Sequence, residues 1–208
     1  MRLPRAMTRE DFAAATGVSR ETLDRLTAYA DLLAKWQAKI NLVGPATLPD
    51  LWRRHMLDSA QLATLIEPAK PRRWVDLGSG AGFPGLVLGI LGVGEVHLVE
   101  SDQRKCAFLR EAARITGAEV KIHALRIETL APLEADVITA RALAPLEKLL
   151  DWAAPHRTAH TIHLIPKGKE AEAELTQAAR RYTLDVKRHE SRTDNSATIF
   201  QIRVTDHD

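Results

Sequence analysis

Beyond residue 71, short runs rich in β-branched residues alternate with longer amphipathic stretches, and this alternation constrains the fold most. The short runs predict five strands, at Trp74–Leu77, Val96–Glu100, Val120–His123, Asp136–Ala140 and Thr161–Ile165. Helical spacing of apolar residues predicts four helices, at Gly85–Leu91, Gln103–Thr116, Pro145–Ala154 and Glu170–Arg181. Because strands that alternate with helices need crossover connections, the sequence predicts an α/β fold with a mainly parallel, doubly wound sheet.

The end of the chain follows a different pattern. Leu184–His189 and Ala197–Val204 are both strand-like, and only the turn-rich residues 191–196 separate them. Two strands without a helix between them are typical of a hairpin, which would place an antiparallel strand in the sheet. We therefore expect about seven strands in total, with a ligand at the carboxyl ends of the central strands.

The N-terminal part of the chain shows helical spacing instead. Residues Ser19–Trp36 fit an amphipathic helix whose first hydroxyl can act as its N-cap, and a second helical stretch runs from about Pro49 to Ile66. The pattern changes at Pro68–Pro71. The sequence therefore predicts a helical cap, residues 1–70, and a ligand-binding core, residues 71–208.

Composition excludes several classes of protein. Lys and Arg exceed Asp and Glu by only 29 to 27, so bulk charge does not indicate nucleic-acid binding. The single cysteine, Cys106, excludes an intramolecular disulfide and a multi-cysteine zinc site, and the eight histidines lack zinc-site spacing. No apolar run is long enough for a bilayer span, and the first residues, MRLPRAMTRED, lack the uninterrupted apolar stretch of a signal peptide. We expect a soluble cytoplasmic protein without a metal.

A glycine-rich run follows the first predicted strand. Residues 75–85 read Val-Asp-Leu-Gly-Ser-Gly-Ala-Gly-Phe-Pro-Gly. Glycines allow positive φ angles and let a ligand approach the backbone. Glu100 ends the second predicted strand 22 residues after Gly78, where a carboxylate can accept hydrogen bonds from ribose hydroxyls. Together these features favour a nucleoside-binding loop over a turn in which glycine serves chain geometry alone.

Two details of this loop distinguish between nucleotide classes. A dinucleotide fingerprint has Gly or Ala at the third position of G-x-G-x-x-G, and that position here is Phe83. Asp76, just before the loop, would repel a pyrophosphate but could attract the ammonium group of a methionine. The pattern therefore favours S-adenosylmethionine over NAD.

The methyl acceptor of such an enzyme also leaves traces in the sequence. Exocyclic amines are usually held by an Asn/Asp-Pro-Pro-aromatic motif after the fourth strand, where residues 139–142 read Thr-Ala-Arg-Ala instead. Methylation of cytosine C5 needs a cysteine nucleophile, and Cys106 on its predicted helix is interpreted as a packing residue. Guanine N7 carries an in-plane lone pair and needs no base, and Arg141 stands where a contact to phosphate, carboxylate or guanine O6 would be expected.

With these residues identified, nearly the whole chain resembles the RsmG family, also called GidB, the 16S rRNA 7-methylguanosine methyltransferases of bacteria. Residues 54–59, Arg-His-Met-Leu-Asp-Ser, are similar to the family signature RHxLDS, and residues 78–85 share its Gly-aromatic/Leu-Pro-Gly ending. The resemblance implies a Rossmann-like class I S-adenosylmethionine methyltransferase fold. It further implies methylation of N7 of the guanine conventionally numbered 527 in 16S rRNA.

The resemblance also implies roles for individual residues. Gly78 and Phe83 would line the methionine side of the cofactor, Glu100 would hold the ribose, and Ile127 and Glu128 would flank the adenine. The full set of residues expected to contact the cofactor is Asp76, Gly78, Gly80, Gly82, Phe83, Glu100, Ile127, Glu128 and Arg141.

The acceptor site is expected around Arg141, His55 and Lys167. Spacing alone suggests that His55 and Asp58 form a structural pair on one helix face, whereas the signature match favours a place at the site. The paired basic residues elsewhere usually form a solvated face, and only their convergence on one cleft would make an RNA-binding surface.

The expected partner is 16S rRNA, within a small-subunit ribonucleoprotein, and the protein is expected to be a monomer that does not bind membranes. A second hypothesis keeps the fold but makes the acceptor a small molecule or a protein. A third makes the chain an RNA-binding module with a vestigial nucleotide loop, which the intact Asp76, glycines and Glu100 disfavour.

Overall fold

The computed structural model describes residues 5–67 and 72–205, and a seven-stranded sheet forms its centre. The strands are β1 (Arg72–Leu77), β2 (Gly94–Val99), β3 (Val120–His123), β4 (Ala135–Thr139), β5 (Arg157–Lys167), β6 (Leu184–Glu190) and β7 (Thr198–Val204). Their order is β3-β2-β1-β4-β5-β7-β6. The first five strands are parallel to one another, and β7 runs antiparallel to both β5 and β6. The predicted α/β class and the terminal hairpin are confirmed.

Helices cover both faces of this sheet. They are α4 (Gly85–Leu91), α5 (Gln103–Thr116), α6 (Leu146–Ala153) and α7 (Ala171–Ala178), with short 3-10 helices at Ile127–Thr129 and Ala154–His156. Side chains of α4 and α5 belong to one buried apolar cluster, and those of α6 and α7 belong to a second. Within the described ranges, no helix has the length and hydrophobicity needed to cross a membrane.

Two helices begin the described chain, α1 (Arg9–Thr16) and α2 (Arg20–Gln37). The helix α2 starts after the Ser19 cap, as predicted. The helix α1 was not predicted from the sequence, because Phe12 is its only buried side chain and leaves no apolar periodicity. A capping box between Thr8 and Asp11 and a left-handed Gly17 at the other end define its bounds.

The second predicted N-terminal helix is a helical segment of mixed type. It comprises a 3-10 helix (Pro45–Asp50), a π-helix (Trp52–Leu57), the short α3 (Asp58–Ala60) and a second 3-10 helix (Gln61–Leu65). The wider π turn buries His55, Met56 and Leu57. The predicted boundary at residues 68–71 lies outside the described residues.

The N-terminal helices pack directly on the loop between β1 and α4. Tyr29 of α2 is fully buried and donates its hydroxyl hydrogen bond to the carbonyl oxygen of Ala81. Its ring lies 5.3 Å from the ring of Phe83 and 6.1 Å from that of Phe108. The helical segment and the sheet therefore share one apolar core, and Tyr29 anchors the loop to it.

This contact can be tested with the two tyrosines of the chain. Tyr29→Phe should lower the free energy of unfolding by about 1 to 3 kcal/mol, because the buried carbonyl of Ala81 loses its hydrogen-bond donor. The control, Tyr182→Phe, removes a surface hydrogen bond to Asp151 and should change stability by less than about 0.5 kcal/mol. Urea denaturation measures both values, and equal losses in the two variants would contradict the anchoring role of Tyr29.

Candidate active site

The loop of residues 78–84, here called the glycine loop, connects the carboxyl end of β1 to α4. Gly78, Gly80 and Gly82 have φ angles of 67°, 57° and 98°, in the left-handed region that favours glycine. A Cβ atom on Gly78 would also lie 2.6 Å from Cδ1 of Leu143. The backbone conformation therefore favours glycine at this position, and the Leu143 side chain would have to move to admit a Cβ atom.

Asp76 lies beneath the glycine loop. Its side chain is 1% exposed; Oδ1 accepts a hydrogen bond from the Thr139 hydroxyl at 2.9 Å, and Oδ2 accepts one from the Gly85 backbone N–H at 3.2 Å. Burial in this apolar surrounding raises the pKa of Asp76 to about 6. The carboxyl group thus connects β1, β4 and the start of α4 under the loop.

A first cavity, of about 350 Å³, opens at the carboxyl ends of β1, β2 and β4. Six of the nine residues expected to contact the cofactor line it: Gly78, Gly80, Glu100, Ile127, Glu128 and Arg141. The sequence analysis did not assign the other lining residues to the site: Val99, Ser101, Lys105, Leu125, Arg126, Ala142, Leu143 and Trp152. Most of these follow strand ends, which is the one signal that could have identified them.

The remaining three expected contacts, Asp76, Gly82 and Phe83, lie behind the wall of this cavity. A Cβ atom on Gly82 would approach Leu86 at 2.8 Å, within the apolar interior. Phe83 is 4% exposed, and its ring centre lies 4.8 Å from that of His55 and 5.1 Å from the guanidinium carbon of Arg141. These three residues lie beneath the surface of the wall.

Glu100 follows β2 directly and fixes the glycine loop at the cavity edge. Its Oε2 accepts a hydrogen bond from the Gly80 N–H at 2.8 Å, and its Oε1 accepts one from the Asp102 N–H at 2.8 Å. Each carboxylate oxygen can accept a further hydrogen bond, because an ionised carboxylate has about four acceptor positions. Glu100 can therefore hold hydroxyl groups of a ligand while it holds the loop.

Arg141, just beyond β4, contacts the N-terminal helical segment. Its Nη1 donates to Asp58 Oδ2 at 3.2 Å and to the Arg54 carbonyl at 3.3 Å, and its Nη2 donates to Nδ1 of His55 at 2.8 Å. His55 and Asp58, for which spacing suggested a direct pair, are thus connected through Arg141. The guanidinium group binds the segment to the sheet.

The hydrogen bonds of His55 define its tautomer. Because arginine is a donor only, Nδ1 accepts, and Nε2 carries the proton that it donates to the Thr47 hydroxyl at 2.7 Å. The Thr47 hydroxyl donates in turn to the Gly44 carbonyl at 2.7 Å. Burial, together with the positive charges of Arg141 and Arg54, lowers the pKa of His55 to about 3. His55 is therefore neutral near pH 7, with both ring nitrogens engaged.

A second cavity, of about 630 Å³, lies on the other side of Arg141. It shares Arg141, Ala142 and Leu143 with the first cavity. Ala142 has a φ angle of 51°, a conformation that is uncommon outside glycine. His55 and Lys167 also line this cavity, so the structure brings the three residues expected at the acceptor site together.

The sequence analysis missed most of the second cavity's other lining residues. They are Thr47, Arg54, Asp58, Ala144, Pro145, Pro166, Gly168, Glu174, Thr193, Asp194 and Ala197. Arg54 and Asp58 belong to the signature, but the residues of the β6–β7 loop are more than 130 positions away in the chain. No local sequence pattern indicates that they would reach the site.

The cations around the second cavity are paired with carboxylates. Arg54 lies 3.1 Å from Asp194, Arg141 lies 3.2 Å from Asp58, and Lys167 Nζ lies 2.7 Å from Glu174. The cavity wall therefore combines donors with acceptors rather than forming a purely positive surface. Basic residues away from this cavity also pair with carboxylates, such as Arg73 with Glu95 and Arg188 with Glu172.

Cys106 lies outside both cavities. Its side chain is fully buried, and its thiol donates a hydrogen bond to the Glu100 carbonyl at 3.2 Å. Burial raises the pKa of the thiol, which disfavours the thiolate needed of a nucleophile. Among the residues that the structure describes, there is also no group of three or more His, Cys, Asp or Glu side chains placed to hold a metal ion.

Solved structures of other proteins share this fold. TYW2 of P. horikoshii in complex with MeSAdo has a TM-score of 0.60 at 17% identity, over 80% of this chain and 65% of that chain, just under two thirds. An S-adenosylmethionine-dependent O-methyltransferase of Thermotoga maritima has a TM-score of 0.57 at 13% identity, over 86% of this chain and 72% of that chain. These similarities confirm the predicted Rossmann-like class I fold.

Sequence comparisons identify the family. A family model described as GidB, rRNA small subunit methyltransferase G, matches residues 22–200. The ribosomal RNA small subunit methyltransferase G of Paramagnetospirillum magneticum is 58% identical over 93% of this chain and 94% of its own length. The protein of the same name from Rhodospirillum rubrum is 55% identical over 94% of this chain and 97% of its own length. The chain therefore belongs to the rRNA small subunit methyltransferase G family.

Proposed function

We propose that this protein transfers a methyl group from S-adenosylmethionine to N7 of a guanine in 16S rRNA, at the position conventionally numbered 527. Its family membership supports methylation of small-subunit ribosomal RNA. One observation carries the choice of acceptor atom: two cavities meet at Arg141, and the imidazole beside them is neutral and fully hydrogen-bonded.

The first cavity fits the cofactor. Its volume, about 350 Å³, lies within the range of about 300 to 1,000 Å³ typical of small-molecule sites. Gly78 and Gly80 would admit the cofactor close to the backbone, Glu100 would accept hydrogen bonds from the ribose, and Ile127 and Glu128 would flank the adenine. When bound, S-adenosylmethionine supplies an electrophilic methyl group on a positively charged sulfur.

The second cavity would hold the acceptor base. Arginine has five N–H donors, and the described contacts of Arg141 use Nη1 twice and Nη2 once. Nε and the second Nη2 hydrogen are left for a ligand at the shared wall. Guanine O6 lies beside N7 and is an acceptor, so Arg141 can hold the base with N7 directed toward the first cavity.

Methylation at N7 suits the chemistry of these residues. The N7 lone pair carries no proton, so the site needs alignment rather than a general base. His55 cannot readily accept a proton, because its Nδ1 already accepts from Arg141 and its pKa is about 3. Its role in this proposal is to orient Arg141.

The direct test is mass mapping of 16S rRNA from cells with and without the gene. We expect the methylated guanine to be lost with the gene and restored when purified protein and S-adenosylmethionine are added to small subunits. An unchanged map, together with methylation of a small molecule or protein by the purified enzyme, would overturn the proposal.

Changing Glu100→Ala should weaken binding of S-adenosylhomocysteine at least about tenfold, because hydrogen bonds to a charged acceptor are lost. The matched control is Glu111→Ala on the neighbouring helix, where the carboxylate pairs with exposed Arg114. Calorimetry should give this control the wild-type dissociation constant. If Glu100→Ala also binds like wild type, the ribose lies elsewhere; competition by NAD would argue against the cofactor itself.

The orienting role of His55 can be separated from base catalysis by pH dependence. His55→Asn should lower the single-turnover methylation rate about tenfold, by loosening a charge-assisted hydrogen bond to Arg141. The shape of its rate profile between pH 5 and 8 should match that of wild type, because the pKa of about 3 keeps His55 unprotonated throughout. If the pH–rate profile of wild type has a sloping limb in this range that the variant lacks, His55 is a general base.

Lys167 is expected to act on the acceptor and not on the cofactor. Lys167→Ala should leave the dissociation constant for S-adenosylhomocysteine within about twofold, because Lys167 lines only the second cavity, and should lower RNA methylation about tenfold or more. Exposed Lys169 lies two residues away and provides the control. Loss of cofactor binding in Lys167→Ala with unchanged RNA binding would contradict this assignment.

A further inference from the structure

Glu174 of α7 reaches the wall of the second cavity and is held there by one of its two oxygens. Its Oε2 accepts a hydrogen bond from the Leu146 backbone N–H, at the first residue of α6, at 2.7 Å. The same oxygen lies 2.7 Å from Lys167 Nζ, which also donates to the Ala144 carbonyl at 2.7 Å. The side chain of Glu174 is 26% exposed. A backbone donor and a cation therefore fix the position of this carboxylate.

Both oxygens of each of the other two carboxylates on this wall already accept at least one hydrogen bond. Asp58 accepts from the Thr193 hydroxyl and Gln61 through Oδ1, and from Arg141 through Oδ2. Asp194 accepts from Ser196 through Oδ1 and from Arg54 through Oδ2.

Within the described ranges, only the Oε1 atom of Glu174 among these six carboxylate oxygens has no hydrogen-bond donor. An ionised carboxylate oxygen can only accept hydrogen bonds. Glu174 therefore lines this cavity with one carboxylate oxygen that has no donor among the described residues.

Guanine is the base that matches such an acceptor. Its Watson–Crick edge carries two neighbouring donors, N1–H and the 2-amino group, whereas adenine presents an N1 lone pair that a carboxylate would repel. N7 and O6 form the major-groove edge of guanine, and the 2-amino group points to the opposite, minor-groove side. A base that directs N7 and O6 toward Arg141 directs its 2-amino edge away from that wall.

We propose that Glu174 selects guanine as the acceptor, by accepting hydrogen bonds from N1–H and the 2-amino group through Oε1. Lys167 and the Leu146 N–H are then positioning groups that hold the carboxylate in place. This inference rests on the proposed function and adds the residue that determines base specificity.

The test uses small-subunit particles assembled with 16S rRNA that carries either guanine or inosine at the acceptor position. Inosine keeps N7, O6 and N1–H and lacks only the 2-amino group. Wild-type enzyme should methylate the guanine particle with a kcat/KM at least about tenfold above that of the inosine particle, because inosine leaves part of a charged acceptor unpaired.

The discriminating variant is Glu174→Gln, which keeps the shape of the side chain. Its amide oxygen can still accept hydrogen bonds from Leu146 and Lys167. The amide NH₂ then takes the position of Oε1, where it is a hydrogen-bond donor that faces the N1–H and 2-amino donors of guanine. We expect kcat/KM for guanine to fall about tenfold or more and the guanine-to-inosine ratio to approach one, with affinity for S-adenosylhomocysteine unchanged. The affinity of Glu174→Gln for the two particles, measured without turnover, should likewise no longer favour the guanine particle.

Glu172→Gln is the matched control, because it removes the same charge from the same helix at an exposed residue paired with Arg188. Glu172→Gln should keep the wild-type kcat/KM for guanine and the wild-type guanine-to-inosine ratio. The inference is overturned if wild type methylates both particles equally. It is also overturned if a folded Glu174→Gln keeps the wild-type ratio of kcat/KM for guanine to that for inosine. If that variant does not fold, the wild-type ratio alone decides. Absence of N7 methylation by both wild type and Glu172→Gln would instead refute the proposed function.

Discussion

The site depends on one guanidinium group that joins two parts of the chain. Arg141 extends from the end of β4 and donates to Asp58, His55 and the Arg54 carbonyl of the N-terminal helical segment. Its side chain is 17% exposed, so its charge needs these partners. Because Arg141 also forms the wall common to both cavities, the contact that docks the helical segment also sets the geometry between cofactor and acceptor.

Beneath this contact, buried polar groups fix the backbone of the glycine loop. Asp76 accepts hydrogen bonds from Thr139 and Gly85 at the cost of a pKa raised to about 6, and Tyr29 donates to Ala81 from the helical layer. Glu100 holds the outer side of the loop through Gly80. A loop supported from three directions is preorganised, so little conformational entropy is lost when a ligand binds.

Local sequence patterns were sufficient for most of the fold. The helices α4 and α5 have the bounds that the sequence predicts: α5 has one apolar face, and α4 is an apolar run that is buried on nearly all sides. The alternation of strands and helices required a parallel sheet, and the missing crossover before β7 required the antiparallel end. The patterns failed for α1, where Phe12 is the only buried side chain, and for the π-helix, which buries His55, Met56 and Leu57.

The sequence by itself determined the fold class, the glycine loop with Glu100 and the family, because these depend on residues close together in the chain or on motifs. Only the tertiary structure decided which side chains face a ligand. It placed Phe83 and Asp76 behind the cavity wall, and it brought Thr193 beside Asp58 and Glu174 beside Lys167. Such pairs join residues distant in the chain, and they exist only because strand order and helix packing bring four strand ends and the N-terminal segment to one edge of the sheet.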